Sequence, residues 1–307
     1  MARVGLALWM GLLVGCGKEP GAAIYLEDDA TEPVDTGGSY AWPEDEVLAD
    51  ACLEEEPDAT IGPWADAFPV PGTTFDQGCT RPDELPCYPN EFPAHTVTVG
   101  DFQAMATEVS QELWRAVSNT NPSGHLACGC NCPVESMTWY EAVAFANALS
   151  EVQGHDPAYI IDGTNVTWDT DSNGWRLPTE SEWERMAKGD SDDLVAAGVD
   201  VTAAAWYREN APDGPQPVGQ KEPTVHGIHD LNGNVWEWTW DWSEPYTDDS
   251  AVNPGGPATG SVKVLRGGSY VDDYRVVRTS TRRELPPDQA VESVGLRLVR
   301  GVVLEAR

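Results

Sequence analysis

Tryptophan constrains this chain more than any other residue. Thirteen Trp stand among 307 residues, and they cluster in the second half. Each brings a large apolar area and one N–H that needs a partner when buried. Beyond residue 190 the rings stand among frequent Gly, Pro, Asn and Asp, which break regular elements. Such a stretch predicts an irregular, loop-rich body held by aromatic anchors, with short strands as its regular structure. The length suits one large domain or two small ones, and no repeat of fixed period is present.

Local signals place the regular elements. Thr96–Val99 alternates as a half-buried strand does. Ser110 can cap a helix that carries Leu113, Trp114 and Val117 on one face. Thr138 and Glu141 form a capping box ahead of a helix whose buried side holds Val143, Ala146 and Leu149. Thr179 and Glu182 form a second box ahead of Trp183, Met186 and Ala187. Val262–Leu265 and Leu296–Val299 are strand candidates. Arg266 and Arg297, beside glycines, are expected to pair bidentately with buried carboxylates. Arg176, just before a helix start, is expected to be structural, as is Glu184.

The formal net charge is -33. Phosphate binding needs basic patches, so nucleic acid is excluded as a partner. The charge serves solubility, or it attracts divalent cations where oxygen ligands converge. At the N-terminus, Arg3 precedes an apolar run, Val4 to Val14, too short to span a bilayer. It ends in Leu13-Val14-Gly15-Cys16, read as a lipobox: residues 1–15 are a signal peptide and Cys16 is the acylated anchor. Gly17 points weakly to an outer-membrane or surface location in a bacterial envelope. Residues 17–60 carry fourteen Asp and Glu against one Lys, which predicts an extended, disordered tether for residues 16–60. Cys52, Cys79, Cys87, Cys128, Cys130 and Cys132 remain, an even number that suits disulfides in an exported chain. Cys79 with Cys87 is the first expectation, while the Cys128–Cys132 cluster stays open between disulfides and a thiolate metal site.

Six segments in register carry a resemblance. They are Thr107–Trp114, Cys132–Trp139 (CPVESMTW), Trp175–Glu184 (WRLPTESEWE), Gly227–Trp238 (GIHDLNGNVWEW), Arg266–Tyr270 (RGGSY) and Gly295–Val299 (GLRLV). Together they resemble the formylglycine-generating enzyme, or sulfatase-modifying factor, family across about residues 62–302; the domain is placed at 61–303. The resemblance implies an α+β, C-type-lectin-like fold with two main helices, a twisted antiparallel sheet and long ordered loops. It also implies a calcium site made by Asp230 and Glu237 carboxylates and by Gly233 and Val235 carbonyls. The alternative for that turn is core packing, with Trp236 and Trp238 buried.

The catalytic members of the family use two cysteines shortly after Gly-Gly-Ser to bind Cu(I), a soft ion that selects thiolates. Here that segment reads Val271-Asp272-Asp273-Tyr274, and no cysteine follows Cys132. The resemblance therefore implies a member without copper and without formylglycine-generating oxidase activity. Asp272 and Asp273 are weak acid–base candidates for a different enzyme chemistry. His95, His125, His155, His226 and His229 form no iron motif. The leading expectation is a binding or scaffold module for a glycan or peptide, with Asp241 and the rings near Trp240, Trp242 and Tyr246 as the contact surface. An enzyme of other chemistry and an assembly lipoprotein are the alternatives.

Overall fold

The computed structural model describes residues 67–84, 86–193, 195 and 200–301. The signal peptide, Cys16, Cys52 and the acidic tether lie outside the described residues. In chain order the elements are β1 (Ala67–Val70), β2 (Thr73–Gln77), β3 (His95–Val99), β4 (Phe102–Met105), α1 (Gln111–Ser118), α2 (Trp139–Val152), β5 (Tyr159–Asp162) and β6 (Asn165–Trp168). Then follow α3 (Glu180–Lys188), α4 (Val201–Ala204), β7 (Ala205–Trp206), β8 (Asn232–Gly233), β9 (Trp236–Trp242), β10 (Ala251–Val252), β11 (Lys263–Arg266), β12 (Arg282–Leu285), β13 (Val294–Gly295) and β14 (Val299–Arg300).

Caps set the helix starts. Ser110 Oγ accepts from the Leu113 amide at 3.1 Å, and α1 stops at Asn119 in a left-handed conformation, φ 58°. Thr138 and Glu141 close a reciprocal box on α2, and Thr179 and Glu182 close another on α3. These side chains satisfy amide donors that would otherwise be orphaned at each first turn.

The largest sheet has the order β12-β11-β9-β13. β11 pairs antiparallel with β12 and β9, while β13 runs parallel to β9. β1-β4-β14 and β10-β3-β2 form two three-stranded sheets, with the β5-β6 and β7-β8 pairs beside them. The main core joins the apolar faces of α1 and α2 to Trp175, Trp236, Trp238, Leu265, Leu296 and Leu298. A second cluster sets Trp183, Met186 and Ala187 of α3 against Phe102, Leu231 and Val299.

Two strand expectations need correction. The strand expected at Val262–Leu265 lies one residue later, at Lys263–Arg266. Leu296–Val299 is not one strand: β13 ends at Gly295 and β14 begins at Val299. Leu296, Arg297 and Leu298 are nevertheless fully buried. The carbonyls of Leu296 and Leu298 accept from the Val109 and Met105 amides, so this apolar run stitches sheets together instead of extending one. Beyond residue 190 a short helix, α4, joins the strands; Asp200 caps it by accepting from the Thr202 amide at 2.8 Å.

Candidate functional site

β11 delivers Gly267, Gly268 and Ser269 to a turn, and the segment that follows carries Asp272 and Asp273. Asp272 Oδ2 accepts from Ser269 Oγ at 2.6 Å, from the Ser269 amide at 3.1 Å and from Trp236 Nε1 at 2.9 Å. Asp273 is chelated by Arg275, through Nε at 3.0 Å and Nη2 at 2.8 Å. The Arg275 side-chain hydrogen bonds hold its carboxyl down at about 2, with burial opposing. The two carboxylates thus serve different partners, and Asp273 is far too acidic to take a proton near neutrality.

Beside this turn stands a hydrogen-bonded chain. Tyr270 Oη lies 3.2 Å from His125 Nε2, and His125 Nδ1 lies 3.1 Å from the buried Glu135 Oε1. Ser136 Oγ donates to Glu135 Oε2 at 2.5 Å. Burial, then Glu135 and Glu292, push the Tyr270 hydroxyl up to about 12.

The described cysteines are committed. Cys79 is bonded to Cys87 with Cα atoms 6.3 Å apart, Cys128 to Cys132 at 5.9 Å, and Cys130 is disulfide-bonded as well. The thiolate metal site left open for the 128–132 cluster is thereby corrected: a disulfide sulfur is no thiolate. Cys79, Cys87 and Glu91 lie close together. Glu91 there pairs with Arg278 at 2.6 and 2.8 Å and accepts from Ser280 Oγ at 2.7 Å.

The turn before β9 gathers buried carboxylates. Asp230 Oδ2 accepts from the Gly219 amide at 2.5 Å, while its buried Oδ1 has no partner among the described residues. Glu237 accepts from Arg297 Nη2 at 2.8 Å and from Trp183 Nε1 at 2.7 Å. Glu108, which the sequence reading did not single out, accepts from Asn234 Nδ2 at 2.7 Å and from the Val235 amide at 3.2 Å. Burial pushes Glu108 well above the ordinary carboxylate range, and Asp230 and Glu237 push it further. Burial likewise raises Asp230. Gly233 adopts φ 84°, and a Cβ there would stand 2.0 Å from the Trp206 carbonyl oxygen, so only glycine permits this turn. The donor set fits calcium in one respect: Asp230 offers an unsatisfied buried oxygen, which a hard cation would satisfy. Glu237 shares its carboxylate with Arg297 and Trp183. His226 and His229 do not converge: His229 Nδ1 bonds the Lys221 carbonyl, and His226 faces Asp190 at 3.6 Å.

A cavity of about 560 Å³ opens at the far end of β9. Asp241, Trp242 and Tyr246 line it together with Glu180 and Arg282. Trp240 points elsewhere, stacked on Tyr159 with centroids 5.2 Å apart and the planes 14° off parallel. Glu180 is the hub of the cavity wall. It accepts from Arg282 Nε at 2.5 Å and Nη2 at 2.8 Å, from Arg266 at 3.3 Å and from Tyr246 Oη at 3.0 Å. Burial alone would raise its carboxyl, but Arg282 and Arg266 bring it below the usual range. Arg297 clamps Glu237 through Nε and Nη2, the bidentate use expected of it, whereas Arg266 reaches Glu184 through Nη2 at 2.6 Å and Glu180 through Nη1, one contact to each carboxylate instead of the expected pair to one.

The Sulfatase-modifying factor enzyme 1-like domain matches residues 56–302. The chain belongs to this family. It is 31% identical over 240 residues to the chaperone protein LppX of Paenibacillus barcinonensis, covering 66% of this chain and 81% of that protein. It is 34% identical over 187 residues to the formylglycine-generating enzyme of Streptomyces coelicolor, covering 54% of this chain and only 52% of that enzyme. Among solved structures, Treponema denticola variable protein 1 is 30% identical with a TM-score of 0.69, covering 76% of this chain and 94% of that one. The fold is accordingly the α+β, C-type-lectin-like fold of the formylglycine-generating enzyme family. Its motifs map onto the site: WRLPTESEWE opens α3, GIHDLNGNVWEW builds β8 and β9, and RGGSY ends β11.

Sequence reasoning missed Glu108, Glu135 and Arg282. Nothing local marks them, because each acquires its role from a partner more than nine residues away. Glu180 was legible only as a letter of a capping motif. The acidic run after Tyr246 was a usable signal for the cavity rim.

Proposed function

We propose that this chain is an exported, lipid-anchored binding module on the formylglycine-generating enzyme scaffold, without copper oxidase chemistry. One observation carries the reading. Where a catalytic member would place its first copper thiol, Asp272 spends its carboxylate on Trp236 and Ser269. A hard carboxylate does not hold Cu(I), and the described cysteines that precede it are disulfide-bonded. A relative described as a chaperone agrees with a role in binding. The anchor is Cys16 behind its apolar run, and the acidic residues 17–60 tether the body to the envelope. Asp230, with Glu237 and the Gly233 and Val235 carbonyls, would hold calcium at the turn that leads into β9, where a closed-shell cation would supply charge and no redox step. The cavity beside Asp241, Trp242 and Tyr246 is the ligand site.

A second reading, an enzyme with non-copper chemistry, has the Glu135–His125–Tyr270 chain in its favour. The high Tyr270 pKa weighs against it, since ionising that hydroxyl near neutrality is costly. The test is incubation of the purified chain with copper, oxygen and a cysteine-containing sulfatase peptide. The expected result is an unchanged peptide mass; the mass loss of formylglycine formation would overturn the proposal.

A further inference from the structure

We propose that the cavity beside Asp241 binds an organic cation, an ammonium or guanidinium group, an inference that rests on the reading of this domain as a binding module. The wall and rim carry the carboxylates of Glu180, Asp241, Glu244 and Asp249. The guanidinium facing them, Arg282, is already paired bidentately with Glu180. Arg266 also reaches Glu180 and Lys263 stands beside Asp241, so the carboxylates with no cationic partner among the described residues are Glu244 and Asp249 at the rim.

Asp241 supplies a built contact point. It is 5% exposed. Its Oδ2 accepts from the Glu180 amide at 2.8 Å, while Oδ1 makes no hydrogen bond among the described residues and fronts the cavity. An acceptor of a buried residue that is open to the cavity in this way can exchange its water for a donor from outside. The surrounding polar groups are preset to receive one. Gln77 Nε2 donates to Tyr246 Oη at 3.0 Å, Tyr246 donates to Glu180, and Ser181 Oγ donates to Gln77 Oε1 at 2.6 Å.

Two other ligand classes fit less well. A sugar needs an open aromatic face, and the rings here are covered. Arg282 lies 3.9 Å from the Tyr246 ring centre, and the His95 ring packs against it with centroids 4.5 Å apart. Lys263 Nζ lies 3.9 Å from the Trp242 ring centre, and a Cβ on Gly260 would meet that ring at 3.0 Å. A single metal ion needs convergent oxygens. Among the described residues, the one cluster of three or more ligand atoms within 4.8 Å of one another is Cys79, Cys87 and Glu91, so the cavity carboxylates are spread too widely. Spread carboxylates suit a polyatomic cation with several N–H donors.

Electrostatics point the same way. Burial, then Glu180, push the Asp241 carboxyl up to about 8, and burial draws Lys263 down to about 7. The charged groups facing Asp241 are Glu180, Glu182 and Lys263, with Arg282, Glu244 and Asp249 around the opening. An incoming cation takes the place of the Asp241 proton, so binding near neutrality releases protons.

The experiment is isothermal titration of the full chain at low ionic strength with 1,5-diaminopentane, with a Lys-Gly-Lys peptide and with maltotriose. Repeating it in buffers of different ionisation enthalpy counts the protons. Binding of an amine, proton release, and a loss of affinity of about tenfold or more in Asp241→Asn are expected. The relative affinities of diamine and peptide tell a free amine from a basic side chain. Asp241→Asn keeps an acceptor for the Glu180 amide, and thermal melts check its folding; the doubly substituted Glu244→Gln/Asp249→Asn chain, altered only at exposed positions, gives an independent loss. Absence of binding by both amines, or unchanged affinity in both variants, overturns the proposal. Maltotriose binding without amine binding also overturns it, yet leaves the binding module standing. Formylglycine production in the copper assay instead sinks the module reading whatever the titrations show.

Discussion

Asp241 shows how one residue is tuned by what the chain folds around it. In sequence it is one acid among Trp240, Trp242 and Glu244. In the fold it is buried against Glu180, and its carboxyl rises from 3.8 to about 8. The folded state therefore binds more protons than the unfolded state between those values, and stability falls as pH rises through that window. Lys263 acts above it: with a folded pKa of about 7 against 10.5, its share of stability is regained as pH rises beyond 7. Asp241→Asn removes the first slope, and with it the attraction that opposes the fall of Lys263. Relative to the parent chain, the variant should gain in Tm from pH 4 to pH 8 by about 3 °C or more. Melts across that range check this, and a difference independent of pH would show that Asp241 ionises normally. The same scale shows what could be read in advance. Arg266 and Arg297 were legible as partners of buried carboxylates because a guanidinium set in a glycine-flanked apolar motif has to be satisfied inside the fold. Their partners, Glu184 and Glu237, were legible only as acids in motifs, since the pairings span 82 and 60 residues.

Among the elements, helices were legible and sheets were not. The caps of α1, α2 and α3 are written within four residues of sequence, so the start signals are local. Strand partners are distant, and the apolar run from Leu296 to Leu298 looks the same whether it pairs in a sheet or threads between sheets. One wall of the cavity was legible, in Asp241, Trp242 and Tyr246, but its partners were not, because the start of α3, the end of β9 and the loop to β10 meet only in space. The two capping boxes also look alike in sequence but stand in different surroundings. Glu141 is half-buried and accepts from the Thr138 amide and hydroxyl, both at 2.7 Å. Glu182 is buried and accepts from the Thr179 amide at 2.9 Å and from both Arg176 Nη atoms at 2.7 Å. Glu141→Ala loses a cap, about 1 kcal/mol. Glu182→Ala also strands a buried guanidinium, so its loss should be about 3–5 kcal/mol. Urea unfolding measures both; equal losses would show that Arg176 finds another partner at little expense.

At the scale of the whole molecule, a net charge of -33 demands counter-charge wherever carboxylates are buried. Most of the interior supplies its own: Arg176, Arg266, Arg278, Arg282 and Arg297 each clamp a buried glutamate. The turn before β9 is different. Among the described residues, Glu108, Asp230 and Glu237 lie near one guanidinium, Arg297, and Asp230 keeps a buried oxygen with no partner. If a calcium ion completes this balance, it binds the folded chain and not the unfolded one, and stability follows its concentration. At calcium one hundred times its Kd the gain is about 2.7 kcal/mol, a rise in Tm of about 5–10 °C. The rise should survive sodium chloride at matched ionic strength, which separates a built site from screening of surface acids. It should vanish in Asp230→Asn, whose amide retains an acceptor for Gly219 but gives up the charge. A thermal shift that magnesium or salt reproduces equally, or that Asp230→Asn leaves intact, would assign the effect to the acidic surface and leave the turn before β9 as packing alone.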